Sequence, residues 1–256
     1  MTELTVQNVS FQRREQQIIR QANFTLPSGE LVALIGVNGV GKTTLLKLLA
    51  GLWQPTHGQI LLNQQLLQKF TRRALATHIS FVAHNIPSAL AFTVAEAVWM
   101  GRYPYLERWQ AATECDRHAV DAAMQHTDIL HLRGRDLTTL SNGERQRVWI
   151  ARSLATEADM LLLDEPTANL DIAHSLEIMQ LCQTLVTQGK TVVFSTHDLN
   201  LAAQYAQTLC VLQQGAVVAM GAPSKVLTDA LLRQVFNVQV EYLATAAGKT
   251  VLWFGR

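Results

Sequence analysis

Phosphate chemistry needs a particular spacing of glycine, lysine and threonine, and GVNGVGKT, Gly36 to Thr43, supplies it. The glycines let the backbone curl so that successive N–H groups point inward at phosphate oxygens. Lys42 reaches the β and γ phosphates, and the Thr43 hydroxyl can ligate Mg²⁺. The candidate nucleotide contacts are Gly36, Val37, Asn38, Gly39, Val40, Gly41, Lys42, Thr43 and Thr44, and the ligands they imply are ATP and Mg²⁺. A second set closes the apolar run in MLLLDEPTANLD, Met160 to Asp171. Asp164 arrives at the carboxyl end of a strand, where parallel sheets bind ligands, so it is expected to hold the metal beside Thr43, through water. Glu165 follows and faces the γ-phosphate, where a carboxylate can polarise an attacking water. In TVVFSTHDLN, His197 either bonds a γ-phosphate oxygen and orients that water or caps the helix that Asp198 begins; register with the two earlier strand ends favours the first.

LSNGERQRV, Leu140 to Val148, adds something the phosphate loop does not explain. Ser141 and Glu144 form a capping box, and a helix N-terminus is itself an anion site. Capping accounts for the start of the helix but not for Gly143 and Arg145.

The elements that must position these groups are legible as period and run length. Leu31 to Val37, Ile79 to Ala83, Met160 to Asp164 and Thr191 to Thr196 are short runs rich in Leu, Ile and Val, as buried parallel strands are. Thr5 to Phe11 and Gln59 to Asn63 alternate, as a half-exposed antiparallel sheet does, and Gln213 to Val218 predicts a hairpin through Gln214-Gly215. Between about Asn85 and Ala155 strand signals vanish, and Thr93 to Met100, Thr113 to Thr127 and Ser141 to Leu154 carry helical spacing. The expected organisation is one domain, 1–256: a mixed-sheet α/β core over about 1–84 and 156–225, a helical subdomain over about 85–155, and a short extension over 226–256. No repeat or linker divides it.

Composition narrows the partners. The 256 residues carry 21 basic and 20 acidic side chains, a net +1, which makes no electrostatic case for nucleic acid. The opening MTELTVQNVS lacks the basic and apolar regions of a leader, and no apolar run nears the roughly 18 residues of a membrane span, so a cytosolic protein is expected. Cys115, Cys182 and Cys210, widely spaced and without a CxxC pair, read as reduced packing thiols.

In this order and spacing, GVNGVGKTT, LSNGERQRV, LLLDEPTANLD and STHD resemble the nucleotide-binding subunit of an ATP-binding cassette (ABC) transporter, over about the first 225 residues. LSNGE departs from the commoner LSGGQ at Asn142 and Glu144 but keeps the Ser141 hydroxyl and the Gly143 backbone. The resemblance implies a P-loop (RecA-like) α/β fold with an antiparallel β subdomain and an inserted helical subdomain. It also implies a head-to-tail homodimer in which Ser141, Asn142, Gly143, Glu144 and the D-loop residue Asp171 serve the ATP bound by the partner. FTVAEAVWMGRYPYL, Phe92 to Leu106, is similar to ATPases powering uptake of iron-siderophore complexes, haem and vitamin B12, and THDLNLAAQYA agrees. Such a subunit works on a permease dimer at the cytoplasmic face of the inner membrane, as a peripheral protein, with an extracytoplasmic binding protein supplying substrate. Trp99, Tyr103, Tyr105 and Trp109 are expected to build the permease-facing surface. A free divalent-metal importer is an alternative within the family, and a soluble, non-transport ABC ATPase one outside import.

Two departures stand out. The loop that in many relatives stacks an aromatic ring on adenine reads SFQRREQQ, leaving Phe11 or Arg13 for that contact. Where the family pattern has the Q-loop glutamine, this chain has His84, in FVAHN. Imidazole offers a nitrogen only when unprotonated, and nitrogen is a poor partner for a hard cation; His84 is therefore expected to act at the catalytic centre through water, or mechanically.

Overall fold

Alternation and run length sort the strands into unlike sheets in the computed structural model, which describes residues 2–84, 92–106, 111–244 and 250–255. In chain order the strands are β1 (Leu4–Arg13), β2 (Gln16–Leu26), β3 (Leu31–Ile35), β4 (His57–Leu62), β5 (Gln65–Leu66), β6 (Ile79–Val82), β7 (Met160–Leu163), β8 (Thr191–Thr196), β9 (Thr208–Gln213) and β10 (Ala216–Gly221). The hairpin β11 (Gln239–Ala244) and β12 (Thr250–Gly255) follows. One sheet is antiparallel, in the order β2-β1-β4-β5; the larger has the order β10-β9-β3-β8-β7-β6. From β9 to β6 its neighbours run parallel, and β10 adds an antiparallel edge. The mixed α/β fold with an antiparallel β subdomain is thus the one the sequence predicts.

The larger sheet is buried on both faces, which is why β3 and β7 read as unbroken apolar runs and every residue of β8 is buried. Alternate residues feed two cores. Ala33, Ile35, Leu161, Leu163 and Phe194 face one; Val32, Leu34, Met160, Leu162 and Val193 face the other, shared with the antiparallel sheet. Three strands stop short of the apolar run. β3 ends at Ile35, β6 at Val82 and β7 at Leu163, so Gly36, Ala83 and Asp164 already belong to loops.

The helices α1 (Lys42–Leu49), α2 (Arg72–Ala76), α3 (Val94–Trp99), α4 (Glu114–His126) and α5 (Asn142–Leu154) precede β7, and α6 (Ile172–Thr187), α7 (Leu199–Tyr205), α8 (Pro223–Val226) and α9 (Asp229–Phe236) follow it. Among the described residues of 92–155 the pairing is limited to one isolated bridge, Thr93 to Asp136. Helices α3, α4 and α5 each start with a capping box, Thr93/Glu96, Thr113/Asp116 and Ser141/Glu144. Short-range chemistry alone fixes those starts.

GRYPY turns out to fasten this region from inside. Arg102 is 4% exposed; its Nε donates to Asp116 at 2.9 Å and its Nη1 to the Ala155 carbonyl at 2.8 Å and Glu157 at 2.6 Å. Its guanidinium lies 4.0 Å over the Tyr105 ring, and the Tyr105 hydroxyl donates to the Thr156 carbonyl at 2.8 Å. Of the four expected surface aromatics, Tyr103 is 77% exposed, Trp99 packs partly against the core, Tyr105 is tied down as described, and Trp109 lies outside the described residues. Truncating Arg102 removes the partner of Asp116 Oδ1 and of the Ala155 carbonyl, while the Thr113 cap still holds the other Asp116 oxygen. Arg102→Ala should therefore destabilise the protein by about 1–3 kcal/mol, read as a lower midpoint in urea denaturation; an unchanged midpoint would contradict the network.

Candidate functional site

The phosphate loop joins β3 to α1 and depends on a left-handed turn. Gly41, at the α1 N-cap, has φ 113, and a Cβ there would also meet the Ile19 side chain at 3.0 Å. Residues 38–44 all line a groove of about 720 Å³, while Gly36 and Val37 supply carbonyls to the lysine. Lys42, 6% exposed, donates through Nζ to the Gly36 carbonyl at 2.8 Å and the Val37 carbonyl at 3.3 Å. Desolvation holds its pKa below the usual lysine range, and the nearby Glu165 and Asp164 charges oppose that. The groove thus presents a cation beside a ring of backbone N–H groups, a setting for a polyphosphate.

At the groove floor the strand ends converge. Thr43 Oγ1 donates to Asp164 Oδ1 at 3.0 Å, and Asp164 is 3% exposed. A hydroxyl and a carboxylate are the hard oxygen donors Mg²⁺ takes, so the residues present fit it. Among the described residues no cluster of three His, Cys, Asp or Glu could hold an ion. Glu165 and His197 both line the groove. Glu165 has φ 47, a left-handed conformation that costs a side-chain-bearing residue about 1–3 kcal/mol. His84 Nδ1 stands 3.9 Å from Glu165 Oε2, beyond direct hydrogen bonding. His197 is exposed; the cap of α7 is Asp198, which accepts from the Leu201 N–H at 3.0 Å, so the capping alternative for His197 falls away.

The second anion-like helix start stands apart. None of residues 141–144 lines the groove. The Ser141 N–H donates to Glu144 Oε2 at 2.7 Å and the Glu144 N–H to Ser141 Oγ at 3.2 Å; Ser141 and Asn142 are exposed. Gly143 is buried against His174, whose ring would lie 2.7 Å from a Cβ at that position. His174 is in turn held by Asp171, the α6 cap, which accepts from its backbone N–H at 2.8 Å and its Nδ1 at 2.8 Å. Those hydrogen bonds, the backbone one foremost, keep the Asp171 carboxyl below its usual range. Arg145 folds back to donate to the Leu140 carbonyl at 2.9 Å.

The two adenine candidates lie together but not in the groove wall. Phe11 stacks on Trp53 at 5.2 Å and 14°, and the Arg13 guanidinium sits 5.3 Å over the same ring. The wall instead includes Gln16, Gln17 and Ile18 of the β1–β2 hairpin with Gln214 and Gly215, joined where the Arg20 N–H donates to the Gly215 carbonyl at 2.8 Å. Sequence reasoning missed these five and Arg20, which also lines the wall; the Gln214-Gly215 turn was legible, its contact with β2 was not.

A second, more apolar cavity of about 570 Å³ lies between the end of α1, β6 and α5, with Leu52, Leu75, Phe81, Met100, Tyr103 and Trp149 in its wall. Leu52 is 54% exposed and Tyr103 77%. Among the described residues no helix is long and apolar enough to cross a membrane.

Comparison with known proteins meets this geometry. The ABC transporter family model matches residues 19–168. The achromobactin transport ATP-binding protein CbrD of Dickeya dadantii is 38% identical over 239 residues, 93% of this chain and 89% of the relative. A solved structure described as an inward-facing, metal-chelate type ABC transporter superimposes with a TM-score of 0.87 at 30% identity, covering 100% of this chain and 98% of that one. The dimeric, post-hydrolysis cassette MJ0796 bound to ADP and Pi gives a TM-score of 0.73 at 27% identity, covering 86% and 98%. The motif matches, the shared fold and the relatives agree, and the chain belongs to the ABC transporter family as an ATP-binding, ATP-hydrolysing subunit.

Proposed function

We propose that the chain powers import of a metal chelate of the siderophore, haem or cobalamin kind, as a homodimer bound to a permease dimer on the cytoplasmic face of the inner membrane. The observation that carries the ATPase part is the convergence of Lys42, Thr43, Asp164, Glu165 and His197 on one groove floor. The chelate class rests on CbrD and on the metal-chelate type transporter, whose substrates are transferred here by similarity. The apolar cavity beside Tyr103 supports the permease contact, since it offers an apolar groove with Leu52 and Tyr103 exposed in its wall.

In this reading residues 38–44 cradle the phosphates and Lys42 exchanges its loop carbonyls for β and γ oxygens. Thr43, with Asp164 beside it, would hold Mg²⁺, which would supply neutralising charge for the phosphates. Glu165 takes up the proton of the attacking water, and His197 orients the γ-phosphate. Ser141, Asn142, Gly143 and Glu144, absent from the chain's own groove, cover the γ-phosphate of the partner, with Asp171 beside them at the interface. ATP then bridges two subunits, and hydrolysis opens them. Gln16, Gln17 and Ile18, which line the groove near Arg13, would flank the adenine.

Deletion of the gene in its native cell, followed by uptake of radiolabelled ferric siderophore, hemin and cobalamin, tests the proposal together with affinity purification of the chain. Loss of one uptake and recovery of a polytopic permease are expected. Normal uptake of all three, with no membrane protein recovered, would overturn it.

His84 carries its own prediction. Its 3.9 Å separation from Glu165 leaves contact through an intervening water or motion, not direct bonding. His84→Gln should keep or raise ATPase activity in the permease complex, and His84→Ala should lower substrate moved per ATP more than it lowers ATP affinity. A loss beyond about tenfold in His84→Gln would assign the imidazole a direct chemical role.

A further inference from the structure

Ser195 lies on β8 with no exposed surface, and its hydroxyl stands between the two acids of the site. It donates to Asp164 Oδ1 at 2.8 Å and accepts the Glu165 backbone N–H at 2.9 Å. Thr43 Oγ1 donates to the same Oδ1 at 3.0 Å, so one chain of hydrogen bonds runs from α1 through Asp164 and Ser195 to the Glu165 peptide. The ladder between β7 and β8 ends at Leu163 opposite Phe194, one residue before Asp164, and Glu165 therefore has no strand partner for its N–H. Ser195, opposite Leu34 of β3, lies one residue past the β7 ladder, and its hydroxyl takes the N–H that the ladder leaves unpaired. A part-buried N–H without an acceptor is costly, and so is the left-handed φ of 47 at Glu165; this peptide stays as it is only if something holds it.

We propose that Ser195 is a positioning residue for ATP hydrolysis. Its hydroxyl pins the Glu165 peptide in the left-handed conformation that aims the carboxylate into the groove, and it fixes the Asp164 carboxylate towards Thr43, where Mg²⁺ binds. The inference rests on the reading of Glu165 as the base and of Asp164 as the metal-side carboxylate, and it adds a residue that touches neither water nor nucleotide.

The experiment compares Ser195→Ala, Ser195→Thr and Thr191→Val in the full chain with its permease. Thr191 is a buried control at the far end of the same strand, where its hydroxyl accepts the Gly29 N–H at 2.9 Å. Ser195→Ala should lower kcat by about 10- to 100-fold and raise the Mg²⁺ concentration for half-maximal rate, the range seen when an outer-shell partner is removed. Affinity for a fluorescent ATP analogue in EDTA should stay within about twofold of wild type, since the phosphate loop is untouched, while its enhancement by Mg²⁺ shrinks. Ser195→Thr, which keeps the hydroxyl, should recover most of kcat; if threonine does not fit, Ser195→Ala alone decides. Thr191→Val should lower Tm with kcat unchanged. Wild-type kcat and Mg²⁺ dependence in Ser195→Ala would overturn the proposal, as would losses in Thr191→Val that match those in Ser195→Ala. Glu165→Gln in the same assay separates the two readings: normal hydrolysis there removes the base assignment, whereas its collapse beside a normal Ser195→Ala removes only the positioning role.

Discussion

Glu165→Gln is expected to bind Mg-ATP as tightly as the wild type and hydrolyse it about 10² to 10⁴ times more slowly, the range for loss of a general base. The amide keeps the shape of the side chain and the Glu165 N–H bond to Ser195 but cannot accept the proton of the attacking water. The change removes a negative charge that faces the γ-phosphate and leaves the phosphate loop with Lys42 untouched, so binding survives. Because ATP would remain uncleaved between two subunits, the variant should accumulate as a nucleotide-bound dimer in size-exclusion chromatography with Mg-ATP. Single-turnover hydrolysis of γ-labelled ATP gives the rate. A normal rate with no accumulated dimer would remove Glu165 from the chemistry.

Ser141→Arg should leave ATP binding to the separate subunit intact and abolish hydrolysis, since the altered residue lies outside its own groove. An arginine at this exposed helix start removes the hydroxyl and fills the space a partner's phosphate would enter. Each charge-assisted hydrogen bond lost is worth about 1.5–3 kcal/mol, enough to weaken closure by roughly one to two powers of ten. Mixing isolates the trans geometry. Lys42→Ala is inactive through its own phosphate loop, yet paired with Ser141→Arg it completes one composite site from the intact motifs of both chains. An equal mixture should recover occluded nucleotide at up to about a quarter of the wild-type level, half the dimers being mixed with one sound site each. Mixed dimers seen by native mass spectrometry with no occluded nucleotide would contradict the arrangement.

The site was legible in the sequence to the extent that its parts are local. A Gly-rich turn between a strand and a helix, acids just past the end of an apolar run, and serine with glutamate at a helix start each follow from a few consecutive residues, and Lys42, Thr43, Asp164, Glu165 and Ser141 all stand where those rules put them. GRYPY was legible as a motif but not in its packing, because nothing within five residues says that Arg102 will meet Asp116, Ala155 and Glu157. Phe11 and Arg13 show the same limit. Which ring they meet depends on Trp53 arriving from beyond α1.

By itself the sequence determined which groups are on offer, a Gly-rich loop with Lys42 and Thr43, two acids just past a strand end and a second capped helix start, because backbone curl, strand ends and helix caps are set by short-range sterics and hydrogen bonding. It also determined the mixed α/β class, since buried and half-buried strands differ in pattern. Only the tertiary structure decided that β8 lies between β3 and β7, and with it that the hydroxyl of a serine 30 residues beyond Glu165 accepts the Glu165 N–H. Strand neighbours are chosen by how whole faces bury against two cores, a property of the assembled sheet that no window of the chain contains.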